Sequence, residues 1–276
     1  MAAYLDTNIF DRLYGKIGCT GADIANLRKK IYGRELSIPL SIHTLEEILL
    51  DRRARPELRV AKTKLTLSLG NYRRMVKPWD QLLSDDLRAY AATGEAGRPF
   101  IDTDLQNIIT DGISELIETD GEELDEDMIA ALEESKRRGE RFRTTIGELL
   151  GDMRQPENPV AGVFPEDFEG AAVTLAEKLA RRHGVLGECQ QRGIDGILRI
   201  KSVRMLLGAT LSCHYGSTVS EAQSAGASID LRHAVSAAAV AKTLVTEDSQ
   251  LRRILAPVPI DDFEVADLRT FLQTVA

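Results

Sequence analysis

Four carboxylates occupy comparable places along the chain. Asp6 ends a short apolar run, Glu47 lies early in an amphipathic stretch, Asp230 heads an Ala-rich segment, and Asp248 follows the apolar residues 243–246. Read singly, each has a local explanation: Asp is among the best helix N-caps, and Thr44-x-x-Glu47 has the spacing of a capping box. Read together, they suggest convergence. In an open parallel sheet the ligand crevice lies beyond the carboxyl ends of the strands. Asp6, Glu47 and Asp248 would all fall at that edge, with Asp230 joining from a helix terminus. Gathered carboxylates cannot all ionise without a counter-charge. A hard divalent cation, Mg²⁺ or Mn²⁺, supplies one through oxygen ligands, and the chemistry that follows is metal-assisted phosphodiester hydrolysis.

The elements that must position these acids alternate strand and helix. Residues 2–5 read as a strand, 7–14 and 22–31 as helices, and 36–40 as a second strand. Ser41 or Thr44 caps a helix through about residue 51, with Leu45, Ile48 and Leu49 at core spacing. Residues 58–69 are helix-compatible, 72–76 form a strand and 80–92 a helix. Near the C-terminus Asp230 opens a helix over 231–241, 243–246 is a strand, and Asp248 opens a helix through Leu255. Residues 258–260 are expected as a last strand and 265–272 as a terminal helix. Between about 95 and 200 only helical periods are found, with a Pro-rich loop at 155–165. This grammar predicts an α/β protein with a central parallel sheet covered on both faces. Its domain would comprise residues 1–95 and 201–276, interrupted by a helical insertion at 96–200.

Tyr4-Leu5-Asp6-Thr7-Asn8, then Ser41-Ile42-His43-Thr44-Leu45-Glu46-Glu47-Ile48-Leu49, then Asp230-Leu231-Arg232-His233-Ala234 running into Leu244-Val245-Thr246-Glu247-Asp248 form an ordered set. It resembles the PIN-domain ribonucleases, over roughly residues 1–95 and 200–276. The resemblance implies a three-layer PIN-like fold and an endoribonuclease cutting RNA with Mg²⁺ or Mn²⁺ held by Asp6, Glu47, Asp230 and Asp248. It further implies that Asn8 and Thr246 lie beside the acids and orient them or a metal-bound water. Glu46 competes with Glu47, because a one-residue shift exchanges them. His233, one turn beyond Asp230, is expected as a packed or hydrogen-bonded residue near the site. PIN domains are usually about half this length, which argues against the toxin role of many small members. The insertion is expected to be a substrate-binding cap, a dimerisation element or a regulatory lid.

Charge distribution bears on the substrate. The 276 residues carry a net charge of −8, which taken whole disfavours a nucleic-acid partner. Seven acids, however, crowd into residues 118–127, while residues 52–77 hold nine Lys and Arg against Glu57 alone. Arg52, Arg53, Arg59, Lys62, Arg73 and Arg74 are therefore candidates for phosphate contacts, with Tyr72 able to stack on a base. The expected partners are an RNA substrate, a second copy of the chain and an inhibitory protein of the antitoxin kind. No apolar stretch approaches membrane-spanning length, and no signal segment opens the chain, so no membrane partner and a cytoplasmic location are expected. Three Cys and four scattered His lack zinc spacing. A haloacid-dehalogenase reading wants Asp where Asn8 stands, and a dinucleotide site wants a Gly pattern that Gly15, Gly18 and Gly21 do not supply. The remaining alternative is a non-catalytic PIN-like scaffold for RNA or protein, in which the acids merely cap helices.

Overall fold

Strand β1 (Ala3–Leu5) is buried along its whole length, and its side chains divide between two apolar cores: Ala3 and Leu5 enter one, Tyr4 the other. That division is the period-two geometry of a strand covered on both faces. Strand β4 (Thr243–Val245) runs parallel to β1, pairing Tyr4 with Leu244, and β5 (Glu264–Ala266) runs parallel along the other edge of β4. Strands β2 (Pro39–Ser41) and β3 (Asn71–Val76) form a second parallel pair. A parallel bridge between Ala2 and Ser37 joins the two sets, giving the order β3-β2-β1-β4-β5. The order reverses at β1, so the crevice beyond the carboxyl ends of β1 and β4 is the topological switch point.

The computed structural model describes residues 1–49, 55–119, 126–151, 166–216 and 225–276, with side chains for all except 71–73, 126–129, 131, 132, 216 and 225–230. The chain is a mixed α/β protein, mostly helical, with helices on both faces of the small sheet. Helices α1 (Thr7–Gly15), α2 (Gly21–Tyr32), α3 (Ile42–Leu49), α4 (Pro56–Leu69), α6 (Thr103–Glu118) and α13 (Leu268–Thr274) bury side chains in the core that holds Leu5. Helices α5 (Trp79–Thr93), α7 (Glu126–Leu150), α8 (Phe168–Arg182), α9 (Leu186–Arg192), α10 (Lys201–Gly216), α11 (Ala225–Val240) and α12 (Ser249–Leu255) pack around Tyr4. Residues 96–200 thus serve both faces: α6 goes to the first core and α7 to α9 to the second. Within the first turns, Asp6 caps α1 through Thr7 N at 2.7 Å, and Asp248 caps α12 through Gln250 N at 2.7 Å and Leu251 N at 2.9 Å.

Several expected boundaries move. Helix α11 begins at Ala225, so Asp230 lies inside it and does not cap it; the Asp230 side chain is outside the described residues. Residues 258–260 are not a strand, because Val258 N closes a turn on Leu255 O at 3.0 Å and Pro259 has no N–H to give a ladder. The last strand is β5, and the terminal helix starts only at Leu268, where Asp267 accepts Thr270 N at 2.7 Å. Most of the acidic run at 118–127 and all of the 155–165 loop lie outside the described residues. Among the described residues no helix is long and apolar enough to cross a membrane.

Candidate functional site

The site is built where β1 and β4 end. Asp6 N bonds Val245 O at 3.0 Å, the last rung between β1 and β4. Asp6 spends Oδ1 on its helix and Oδ2 on two side chains, accepting from Asn8 Nδ2 and Thr246 Oγ1, each at 2.7 Å. Asn8 also takes Glu247 N on its Oδ1 at 3.2 Å, and Thr246 Oγ1 accepts Asp248 N at 3.1 Å. One Asn and one Thr therefore clamp the loop after β1 to the loop after β4, with Asp6 between them. Asp6 is almost fully buried, and that burial pushes its carboxyl pKa up; Glu47 adds to the rise, while His233 and Thr246 oppose it.

Glu47 reaches the same place from α3, the helix that follows β2. Its Oε1 lies 3.0 Å from His233 Nε2, and His233 Nδ1 lies 2.7 Å from the Tyr4 hydroxyl. Tyr4 in turn meets Ser41 Oγ at 2.5 Å, and Ser41 Oγ receives Thr44 N at 3.0 Å. His233 is wholly buried, which alone would favour the neutral ring; Tyr4, Glu47 and Asp6 outweigh that and hold its pKa well above the ordinary value. Burial would raise the Glu47 carboxyl, but His233 above all, then Thr7 and Arg232, bring it below its ordinary value. Glu47 and His233 thus each favour the charged form of the other, and Asp6 also raises the pKa of His233.

Glu46 points elsewhere. It is buried in an ion pair with Arg138 of α7, accepts Ser135 Oγ at 2.9 Å, and lies 3.5 Å from His43 Nδ1. Burial, with the nearby charges of Arg232, His233 and Arg138, keeps His43 neutral, and its Nε2 accepts Trp79 N at 3.0 Å. Neighbouring residues on a helix point in different directions, so Glu47 faces the sheet edge while Glu46 fastens α7 to α3.

Of the residues expected at the site, Asp6, Asn8, Thr246 and the main-chain N–H of Asp248 form one hydrogen-bonded group, and Glu47 and His233 form a second that acts on Asp6 by charge. Among the described residues no group of three or more His, Cys, Asp or Glu is arranged to hold a metal. The donors present are carboxylate and hydroxyl oxygens, the chemistry a hard divalent cation takes. The basic residues do not gather. Arg52 and Arg53, and the side chain of Arg73, lie outside the described residues. Arg59 is buried in α4, Lys62 pairs with Asp11 at 2.5 Å, and Arg74 lies over the Phe100 ring at 5.6 Å. Ser41 accepts Thr44 N and so caps α3, as its place before the helix suggested, whereas no role at the site was assigned to Tyr4, His43 or Arg138 from the sequence. A lone phenol one residue before Leu5-Asp6 was the one local signal; the others depend on long-range packing.

No family model, curated protein or solved structure matches the chain. Its class is therefore defined by fold and site: a mixed α/β protein with linked carboxylates at the switch point of a parallel sheet.

Proposed function

We propose that the chain is a PIN-like, metal-dependent endoribonuclease hydrolysing RNA phosphodiester bonds. The observation that carries this is the clamp at the sheet edge, where Asn8 and Thr246 fix Asp6 while Glu47 approaches from another element, backed by His233. Asp6, Glu47 and Asp248, with Asp230, would hold Mg²⁺ or Mn²⁺, which would supply Lewis-acid activation of water and charge stabilisation at the phosphate. Thr246 and Asn8 orient Asp6, and His233 keeps Glu47 ionised while filling one of its oxygens. Cleavage of a labelled single-stranded RNA in Mn²⁺ tests the proposal. Asp6→Asn and Asp248→Asn should each lower the rate by at least about a hundredfold; unchanged cleavage in either variant refutes it.

A second reading has its own support. Asp6 Oδ1 and Asp248 Oδ1 both cap helices, and Glu46 and Glu47 are already answered by Arg138 and His233. Acids so engaged also suit a non-catalytic scaffold. RNA binding without cleavage in Mn²⁺ would favour that reading.

A further inference from the structure

We propose that the cleft between the C-terminal turns of α7 and α8 binds the phosphate backbone of single-stranded RNA. The inference deepens the ribonuclease reading and rests on it for the identity of the polyanion. The cleft measures about 340 Å³ and is lined by Thr145, Glu148, Leu149, Lys178, Arg181 and Arg182. Lys178, Arg181 and Arg182 are spaced i, i+3, i+4, which puts all three on one face of α8. Three cations face one acid in a chain of net charge −8, so the local field opposes that of the whole molecule.

Two of those cations have structural duties. Arg182 pairs with Glu148, and Lys178 Nζ donates to Leu149 O at 3.1 Å, near the end of α7. Arg181 has no such duty: its side chain is exposed and makes no ion pair among the described residues. His183 has its pKa lowered by burial and then by the charges of Arg182 and of Arg88 on α5, with Asp80 the opposing charge.

An acidic protein segment is the other polyanion that three cations could take, and the experiment separates it.

The test is fluorescence anisotropy of a labelled single-stranded RNA against the full chain in EDTA, over a series of salt concentrations. Arg181→Gln should weaken binding about threefold to tenfold at low salt and flatten the slope of log K against log salt by about 0.7. Arg181→Glu should weaken it further, and both variants should melt as the wild type does because the side chain is exposed. Wild-type affinity and slope in both variants would overturn the proposal. So would Arg181-dependent binding of a polyglutamate peptide without RNA binding, which assigns the cleft to an acidic protein. Arg181-dependent RNA binding with no cleavage in Mn²⁺ would support the cleft and overturn the ribonuclease reading instead.

Discussion

Replacing Arg138 by Met cuts the tie between α7 and the helix that carries Glu47. The side chains of Glu46 and Arg138 are only 9% and 12% exposed, so their pair is shielded from water. Removing one partner of such a pair costs about 3–5 kcal/mol, because the survivor is left as a buried uncompensated charge. For Arg138→Met, Glu46 keeps the Ser135 hydroxyl at 2.9 Å and the His43 Nδ1 at 3.5 Å, and the Met chain retains the packing of the Arg stem. The loss should fall at the low end, about 3 kcal/mol. Glu46→Gln leaves Arg138 with only the longer pair to Glu134 at 3.8 Å, against burial and then the charges of Arg141 and Arg232, which already bring its pKa down to about 10. That variant should lose nearer 4 kcal/mol. The double variant strands no charge and should lose less than either single one, a coupling above about 4 kcal/mol. At roughly 2–4 °C per kcal/mol, Arg138→Met should lower the melting temperature by about 6–12 °C. Urea unfolding of the four proteins, followed by circular dichroism, measures the cycle. If the double variant loses the sum of the single losses to within about 0.5 kcal/mol, the pair is not coupled and the reasoning fails.

Further outcomes follow from the same geometry. Thr246→Val keeps the shape but removes the hydroxyl that Asp6, Asn8 and Asp248 N share, and should cost about 1–3 kcal/mol by urea unfolding. Because burial raises the Asp6 pKa, its charge works against the fold as pH climbs from 3.8 through the folded value. Asp6→Asn should therefore lose no more than about 1 kcal/mol by urea unfolding in EDTA at neutral pH, a larger loss contradicting this, while its RNA cleavage in Mn²⁺ falls at least about a hundredfold. His233 has a folded pKa well above 6.5, so its contribution is full below 6.5 and is lost as pH rises through the folded value. Glu47, lowered from 4.5, contributes above 4.5 and loses that contribution as pH falls through its own folded value. Melting temperatures in EDTA should fall at the alkaline side in the wild type, and His233→Gln should flatten that fall.

Local signals in the chain were enough to place most of the acid-bearing ends. The apolar run before Asp6 is a strand because three consecutive buried residues must face two cores, and Asp6 ends it because a carboxylate there caps the next helix. The same logic held for Thr243–Val245 and Asp248. It failed at Asp230, where a plausible cap sits inside a helix already begun at Ala225. It also failed at residues 258–260, where three apolar-looking positions make a turn and the less apolar Glu264–Ala266 forms the strand. Short edge strands are fixed by the partner they meet more than by their own pattern.

Strand polarity, the helix caps and the alternation of elements were decided by the sequence itself, because hydrogen bonds and apolar periods within a few residues set them. Tertiary packing alone chose between Glu46 and Glu47. The two are adjacent on one helix and chemically identical, and what separates them is that α7, nearly ninety residues later, brings Arg138 and Ser135 to one while the sheet brings His233 to the other. Packing likewise removed Arg59 to the interior and bound Lys62 to Asp11, while leaving Arg181 exposed on α8. A charge in a sequence has a sign but no partner; its partner, and hence its availability to a substrate, is supplied by the fold.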